Sequence, residues 1–221
     1  MYEEQLQEVY AAHQIIQQSG KDLLDNTLIT FKAAENAYIV REKRINNAGL
    51  TIEHIHVVDR DGKKADGTQV EMDYRFYVNV ALMDQYDWIK CFVNSTTKYS
   101  TLWAQLGVAL PPLSVEHPKY YFGEVPVSAP IQFVHGMNLS DVIYQELYEL
   151  FKYGNPKKCT SAFVPKMESL TWGTNLKQTI TKSIALECLA EHAWEINKEC
   201  NGCVEYLPYA LVDEIYRAYN E

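Results

Sequence analysis

Glycine supplies only 10 of the 221 residues, and these are too scattered to build a phosphate-cradling loop. No GxGxxG, Walker-type or GxSxG stretch occurs, so the signatures of dinucleotide binding, P-loop phosphoryl transfer and the hydrolase nucleophile elbow are all missing. Positive charge is short as well: 20 Lys plus Arg stand against 29 Asp plus Glu, a formal charge of -9. That balance argues against a surface basic throughout for gripping duplex phosphates, and nucleic acid is not an expected partner. No stretch approaches the roughly 18 uninterrupted apolar residues of a membrane span. The opening "MYEEQLQEVY" lacks the basic and apolar regions of a secretory signal, so a soluble, cytoplasmic protein is expected. Five cysteines, an odd number without a scaffold pattern, are expected to stay reduced.

What is present is ample core material, with 47% hydrophobic residues. The pattern predicts an α+β fold with an N-terminal helical hairpin, a central antiparallel β region and a C-terminal helical part. No flexible linker interrupts it, so residues 1–221 are expected to form one domain: helical over 1–49, β-rich over 50–137 and helical over 138–221. In the first part, Tyr2, Leu6, Val9, His13 and Ile16 recur at helical spacing. Leu28, Phe31, Ala34, Tyr38 and Ile45 suggest a second helix, with a short strand at "TLIT" as the alternative. Alternation in "LTIEHIHVV" and "QVEMDYRFYVNVALM", around two Asp-Gly turn signals, predicts a β-hairpin. A third strand is expected near Trp88 to Val93, a short helix near Thr101 and another short strand at "IQFVHG". Most of the prolines fall in 111–130, which should be an extended connection or an arm. Three helices follow: one capped by Ser140 and stopped at Gly154, one from Asn175 to Glu199, and one beginning at Pro208.

The stretch "ECLAEHAWEINKECNGC", 187–203, holds the types that bind soft metals. Cys188 and His192 share a helix face, and Cys200 and Cys203 flank a turn-forming Asn-Gly. Against a four-ligand zinc site stands the helix-favouring "AWEINKE" between the two halves. An unbroken helix puts Cys200 about 18 Å along the axis from Cys188. No cofactor is therefore the first expectation and zinc the alternative, with His192 read as a core histidine.

Other chemistry is thin. His54 and His56 would share one side of a strand, Asp59, Asp61 and Asp66 fit Asp-Gly turns better than a calcium loop, and Cys159 near Lys157 and Lys158 is a weak candidate nucleophile. The basic residues Lys32, Arg41, Lys43, Arg44, Arg60, Lys63 and Lys64 read as a solvated face. The helix after Ser140 and the last helix carry wide apolar arcs rich in rings, Tyr144, Tyr148 and Phe151 on one and Tyr209, Tyr216 and Tyr219 on the other. They suggest protein interfaces and self-association. From these features a non-enzymatic assembly protein is expected, a subunit of a larger particle such as a virion's head-to-tail connector. The alternatives are a zinc-bearing nucleic-acid-processing factor and a monomeric adaptor.

Overall fold

The computed structural model describes residues 2–19, 22, 25–133, 135–202 and 204–220. Its elements run α1 (Glu3–Gln18), β1 (Leu28–Ala34), β2 (Ala37–Arg41), β3 (Ile55–Val58), α2 (Tyr74–Gln85), β4 (Cys91–Ser95), α3 (Lys98–Leu106), α4 (Leu139–Tyr153), β5 (Ser161–Val164), β6 (Glu168–Gly173), α5 (Leu176–Glu199) and α6 (Tyr209–Asn220). The strands form one sheet in the order β3-β2-β1-β4-β6-β5, with every neighbouring pair antiparallel. The fold is α+β, with helices at both ends of the chain.

Helices cover both faces of this sheet. On one, Leu28, Tyr38, Val40, Phe92, Leu170 and Trp172 pack with α2 and α4 residues such as Phe76, Leu82, Leu147 and Phe151. On the other, Ile29, Ile39, Cys91 and Val93 meet Val9, Ala12 and Ile16 of α1 and Leu176 and Ile180 of α5. A third cluster joins Trp103, Leu110, Tyr121, Phe163, Leu186 and Leu189. Each large side chain so buried contributes about 1.5–3 kcal/mol. Covered on both faces, β4, β5 and β6 are buried at every position, and their serines and threonines pair within the protein.

Several sequence expectations are corrected here. The second helix of the N-terminal hairpin is instead the β1–β2 pair, turned at Glu35–Asn36 with Asn36 at φ 52°. Most of "QVEMDYRFYVNVALM", expected as a strand, lies in α2 from Tyr74 onward, and the hairpin drawn through it does not form. Asp73 starts this helix by accepting from the Arg75 backbone N–H at 3.0 Å. Its alternating apolar residues are accommodated because α2 lies between sheet and α4 and is buried on more than one side. Asn138, not Ser140, caps α4. Among the described residues no strand forms over 131–136, while β5 and β6 form a hairpin inside the part expected to be helical.

α5 begins tightly against the sheet. A Cβ on Gly173, the last residue of β6, would lie 2.5 Å from Thr179 Oγ1. That hydroxyl donates to the Asn175 carbonyl oxygen at 2.7 Å, and only glycine leaves it room.

Candidate functional site: a buried polar cluster at the sheet end

β1 and β6 begin, and β2 and β4 finish, at the same end of the sheet, where Leu28 faces Asn94 and Ser95 faces Ser169. The loop before β1 and the first turn of α2 meet there. The cluster is built from residues that lie far apart in the chain.

Arg75 is its centre. Its guanidinium forks onto Asp73, Nε to Oδ1 at 2.9 Å and Nη2 to Oδ2 at 3.0 Å, and Nη1 donates to Glu168 Oε2 at 3.1 Å. Remaining donors reach the Asn26 backbone carbonyl and Oδ1, both at 3.0 Å. The other Glu168 oxygen accepts from Asn94 Nδ2 at 2.8 Å, and Asn79 Nδ2 bridges Asn94 Oδ1 at 2.7 Å and Thr30 Oγ1 at 2.9 Å. Arg41 approaches from β2, donating to Asn26 Oδ1 and to the carbonyls of Thr27 and Ile45.

Burial opposes every charge here, so pairing decides the protonation states. Desolvation pulls Arg75 down, but Glu168 and Asp73 outweigh it and the guanidinium is held protonated. Burial likewise raises Asp73, yet the Arg75 fork wins and keeps that carboxyl below the usual range. For Glu168 burial is the stronger influence and pushes the carboxyl up against the pull of Arg75 and Asn94. Arg41 is lowered to about 10, by burial first and then by the neighbouring Arg75.

Beyond Asn94 the chain continues as Ser95–Thr97 into α3. Ser95 Oγ and Thr97 Oγ1 lie 3.1 Å apart, and Thr97 Oγ1 and Ser100 Oγ 2.8 Å. Glu187 of α5 accepts from the Tyr99 and Ser100 backbone N–H groups, each at 2.9 Å, and so closes the N-terminus of α3 with a carboxylate. A cavity of about 150 Å³ lies beside this turn, lined by Ser95, Thr97, Ser183 and Glu187 and walled by Ile16 and Ile184.

The residues singled out in the sequence lie elsewhere. α5 is unbroken through Glu199, so Cys188 and Cys200 are about 18 Å apart along its axis and do not share one ion within a chain. His192 is exposed rather than a core histidine, Cys200 is exposed, and Cys203 lies outside the described residues. Among the described residues no three His, Cys, Asp or Glu side chains are grouped to hold a metal. His54 sits in a 3-10 turn, its Nδ1 accepting from the Thr51 N–H at 3.1 Å, whereas His56 lies in β3 and pairs with Glu42 at 3.1 Å. Asp59 and Asp66 accept backbone N–H groups of their own turns. Burial pushes the Cys159 and Cys91 thiols up to about 12, which removes both as nucleophiles. Of the basic residues, Arg41 is buried, Lys43 and Arg44 pair with Glu71, and Arg60 pairs with Asp84.

Of the rings expected at interfaces, Phe151 packs on Trp172 at 4.3 Å and Tyr216 on Phe122 at 5.3 Å, both buried within the chain. Tyr144 and Tyr148 stack on each other half-buried, and Tyr209 and Tyr219 are exposed. The helix faces looked too wide for one core contact because α4 packs on both sheet and α2, and α6 on the Phe122 segment.

Comparison with known proteins supplies what the motifs did not. The model of the Class II Aldolase and Adducin N-terminal domain matches residues 7–194. L-ribulose-5-phosphate 4-epimerase UlaF of Salmonella paratyphi C is 27% identical over 204 residues, covering 86% of this chain and 88% of that protein. Among solved structures, an L-fuculose 1-phosphate aldolase superposes with TM-score 0.80 at 14% identity, covering 100% of this chain and 98% of that one. The aldolase of that name from Glaciozyma antarctica PI12 superposes with TM-score 0.73 at 15% identity, covering 96% and 80%. The virion-assembly expectation rested on missing enzyme motifs, and the family match overturns it together with the nucleic-acid and adaptor alternatives. The chain belongs to the Class II Aldolase and Adducin N-terminal domain family.

Proposed function

We propose that the protein is a sugar-metabolism enzyme of the aldolase/epimerase kind, acting next to the carbonyl of a small phosphorylated sugar. The family match across residues 7–194 carries this reading. The curated relative named as a ribulose-phosphate epimerase supports the substrate class. A cavity of about 150 Å³ bordered by Ser95, Thr97 and Ser183 lies beside the polar cluster. In this reading Glu187 holds the α3 turn that borders the cavity. The absence of a helix long and apolar enough to cross a membrane, among the described residues, is compatible with such work in the cytoplasm.

Class II aldolases are typically zinc-dependent. The donors of this cluster do not fit that ion. Asp73 and Glu168 are both bound by the Arg75 guanidinium, and the side chains bonded in turn to these three are the amides of Asn26 and Asn94. Structural and catalytic zinc sites instead draw on histidine, thiolate and free carboxylate.

One observation favours a second reading, binding of the sugar without turnover. Asp73, Glu168 and Glu187 are each engaged by donors of this chain, Arg75, Asn94 and the first turn of α3, so a base role for any of them would require one of these bonds to be exchanged for the substrate. Incubation with L-ribulose 5-phosphate or L-fuculose 1-phosphate, followed by ³¹P and ¹³C NMR, separates the outcomes. New product resonances support the enzyme. Saturable line broadening without product supports binding alone, and neither at millimolar sugar overturns both.

A further inference from the structure

We propose that this protein holds the buried carboxylates Asp73 and Glu168 with a cation of its own chain, Arg75, and that the cluster takes no divalent metal ion. The inference rests on membership of the family and on the donor set, not on the sugar-phosphate reading.

Both oxygens of Asp73 face the guanidinium, at 2.9 and 3.0 Å, and Oδ1 also accepts the Arg75 backbone N–H at 3.0 Å. Glu168 has one oxygen on Arg75 and the other on Asn94. A metal entering between the carboxylates would have to displace a side chain that is 3% exposed and anchored also to Asn26. It would then sit beside a displaced positive charge, with Arg41 adding a second one across the shared Asn26 Oδ1.

Histidine does not come to its aid. His13 is buried beside Arg41 and Asn47, His117 is bonded to the Gly123 carbonyl at 2.8 Å, His54 and His56 bond with Thr51 and Glu42, and His135 and His192 are exposed. The arrangement is a closed one. A guanidinium stays protonated across the physiological range and cannot be removed by a chelator. By fixing Glu168 and Asn94 it fixes the end of β4, from which Ser95 and Thr97 reach the cavity.

The test uses the full chain treated with EDTA, desalted, then reloaded with excess ZnCl₂ and passed through gel filtration. Metal content is read by mass spectrometry and stability by thermal unfolding. The expected result is no stoichiometric zinc before or after reloading and one unfolding midpoint for all three forms. One zinc per chain that raises the midpoint and is lost in Glu168→Gln overturns the proposal. Should that variant fail to fold, X-ray absorption of the zinc-loaded wild type decides. A shell of carboxylate oxygens overturns the proposal, and a sulfur-containing shell assigns the ion to cysteines away from the cluster and upholds it. None of these readouts depends on turnover, so loss of the sugar-phosphate reading would be seen separately.

Discussion

Arg75 and Glu168, 93 residues apart in the chain, meet at 3.1 Å with side chains only 3% and 8% exposed. The pair ties the first turn of α2 to the start of β6 and, through Asn94, to the end of β4. Removing one partner leaves the other charged and buried. Arg75→Met should therefore cost about 3–5 kcal/mol in urea unfolding. The double variant Arg75→Met with Glu168→Leu should be less unstable than Arg75→Met alone, because one buried carboxylate, Asp73, is then left without its cation instead of two; additive losses would show that Arg75 and Glu168 do not act as a pair.

Acid should unfold the protein through two histidines. Burial lowers His13 to about 3, and burial lowers His117 to about 4 against the pull of its bond to the Gly123 carbonyl. Both are neutral in the folded chain, while the unfolded chain takes up their protons below about pH 6.5. Stability is thus full above that pH and falls on acidification by about 1.4 kcal/mol per unit for each group, until about 4 for His117 and 3 for His13. Urea midpoints at pH 7 and pH 5 check the slope.

Neither ring nitrogen of His13 makes a hydrogen bond, although the Asn47 amide stands close enough to favour its protonated form slightly. A buried polar group without a partner costs free energy. His13→Leu should be neutral or stabilising at pH 7 and should remove its share of the acid slope; a loss of several kcal/mol at pH 7 would mean that an ordered water satisfies the ring.

Gly173→Ala should destabilise by about 1–3 kcal/mol through overpacking against Thr179 Oγ1. The clash is with one hydroxyl, so Thr179→Ala in the same chain should recover part of the loss. Thermal melts of the two single variants and the double variant report the coupling directly.

Native alkylation at pH 8 should spare Cys91 and Cys159, whose thiols burial holds near 12, and should label the exposed Cys200. Peptide mass spectrometry locates the label, and rapid modification of Cys159 would revive its reading as a nucleophile.

The helices with caps and stops were legible. α5 runs from its Asn175 cap to Glu199 as its spacing predicts, and α6 begins after Pro208. The sheet was legible in part: β3 lies within "LTIEHIHVV", β4 overlaps the strand expected near Trp88 to Val93, and β1 begins at the alternative strand "TLIT", whereas β2, β5 and β6 fell in stretches expected to be helical. Leu28, Phe31, Ala34 and Tyr38 happen to keep helical spacing, yet the chain turns back at Asn36. Tyr74 to Gln85 misleads in the opposite direction: its Tyr, Phe and Val residues have strand propensity, and burial between sheet and α4 overrides it. The polar cluster had no local signature. Asn26, Asp73, Arg75, Asn94 and Glu168 are scattered along the chain, and only the fold brings them together. "ECLAEHAWEINKECNGC" had the local density that the true cluster lacks, and an unbroken helix disperses it.

Anomalous diffraction at the zinc edge from zinc-soaked crystals tests the central claim most directly. Arg75 should be seen bridging Asp73 and Glu168, with no anomalous peak at the metal-bonding distance of about 2.0–2.2 Å from either carboxylate. A peak bonded to both, with the guanidinium swung away, would contradict the account.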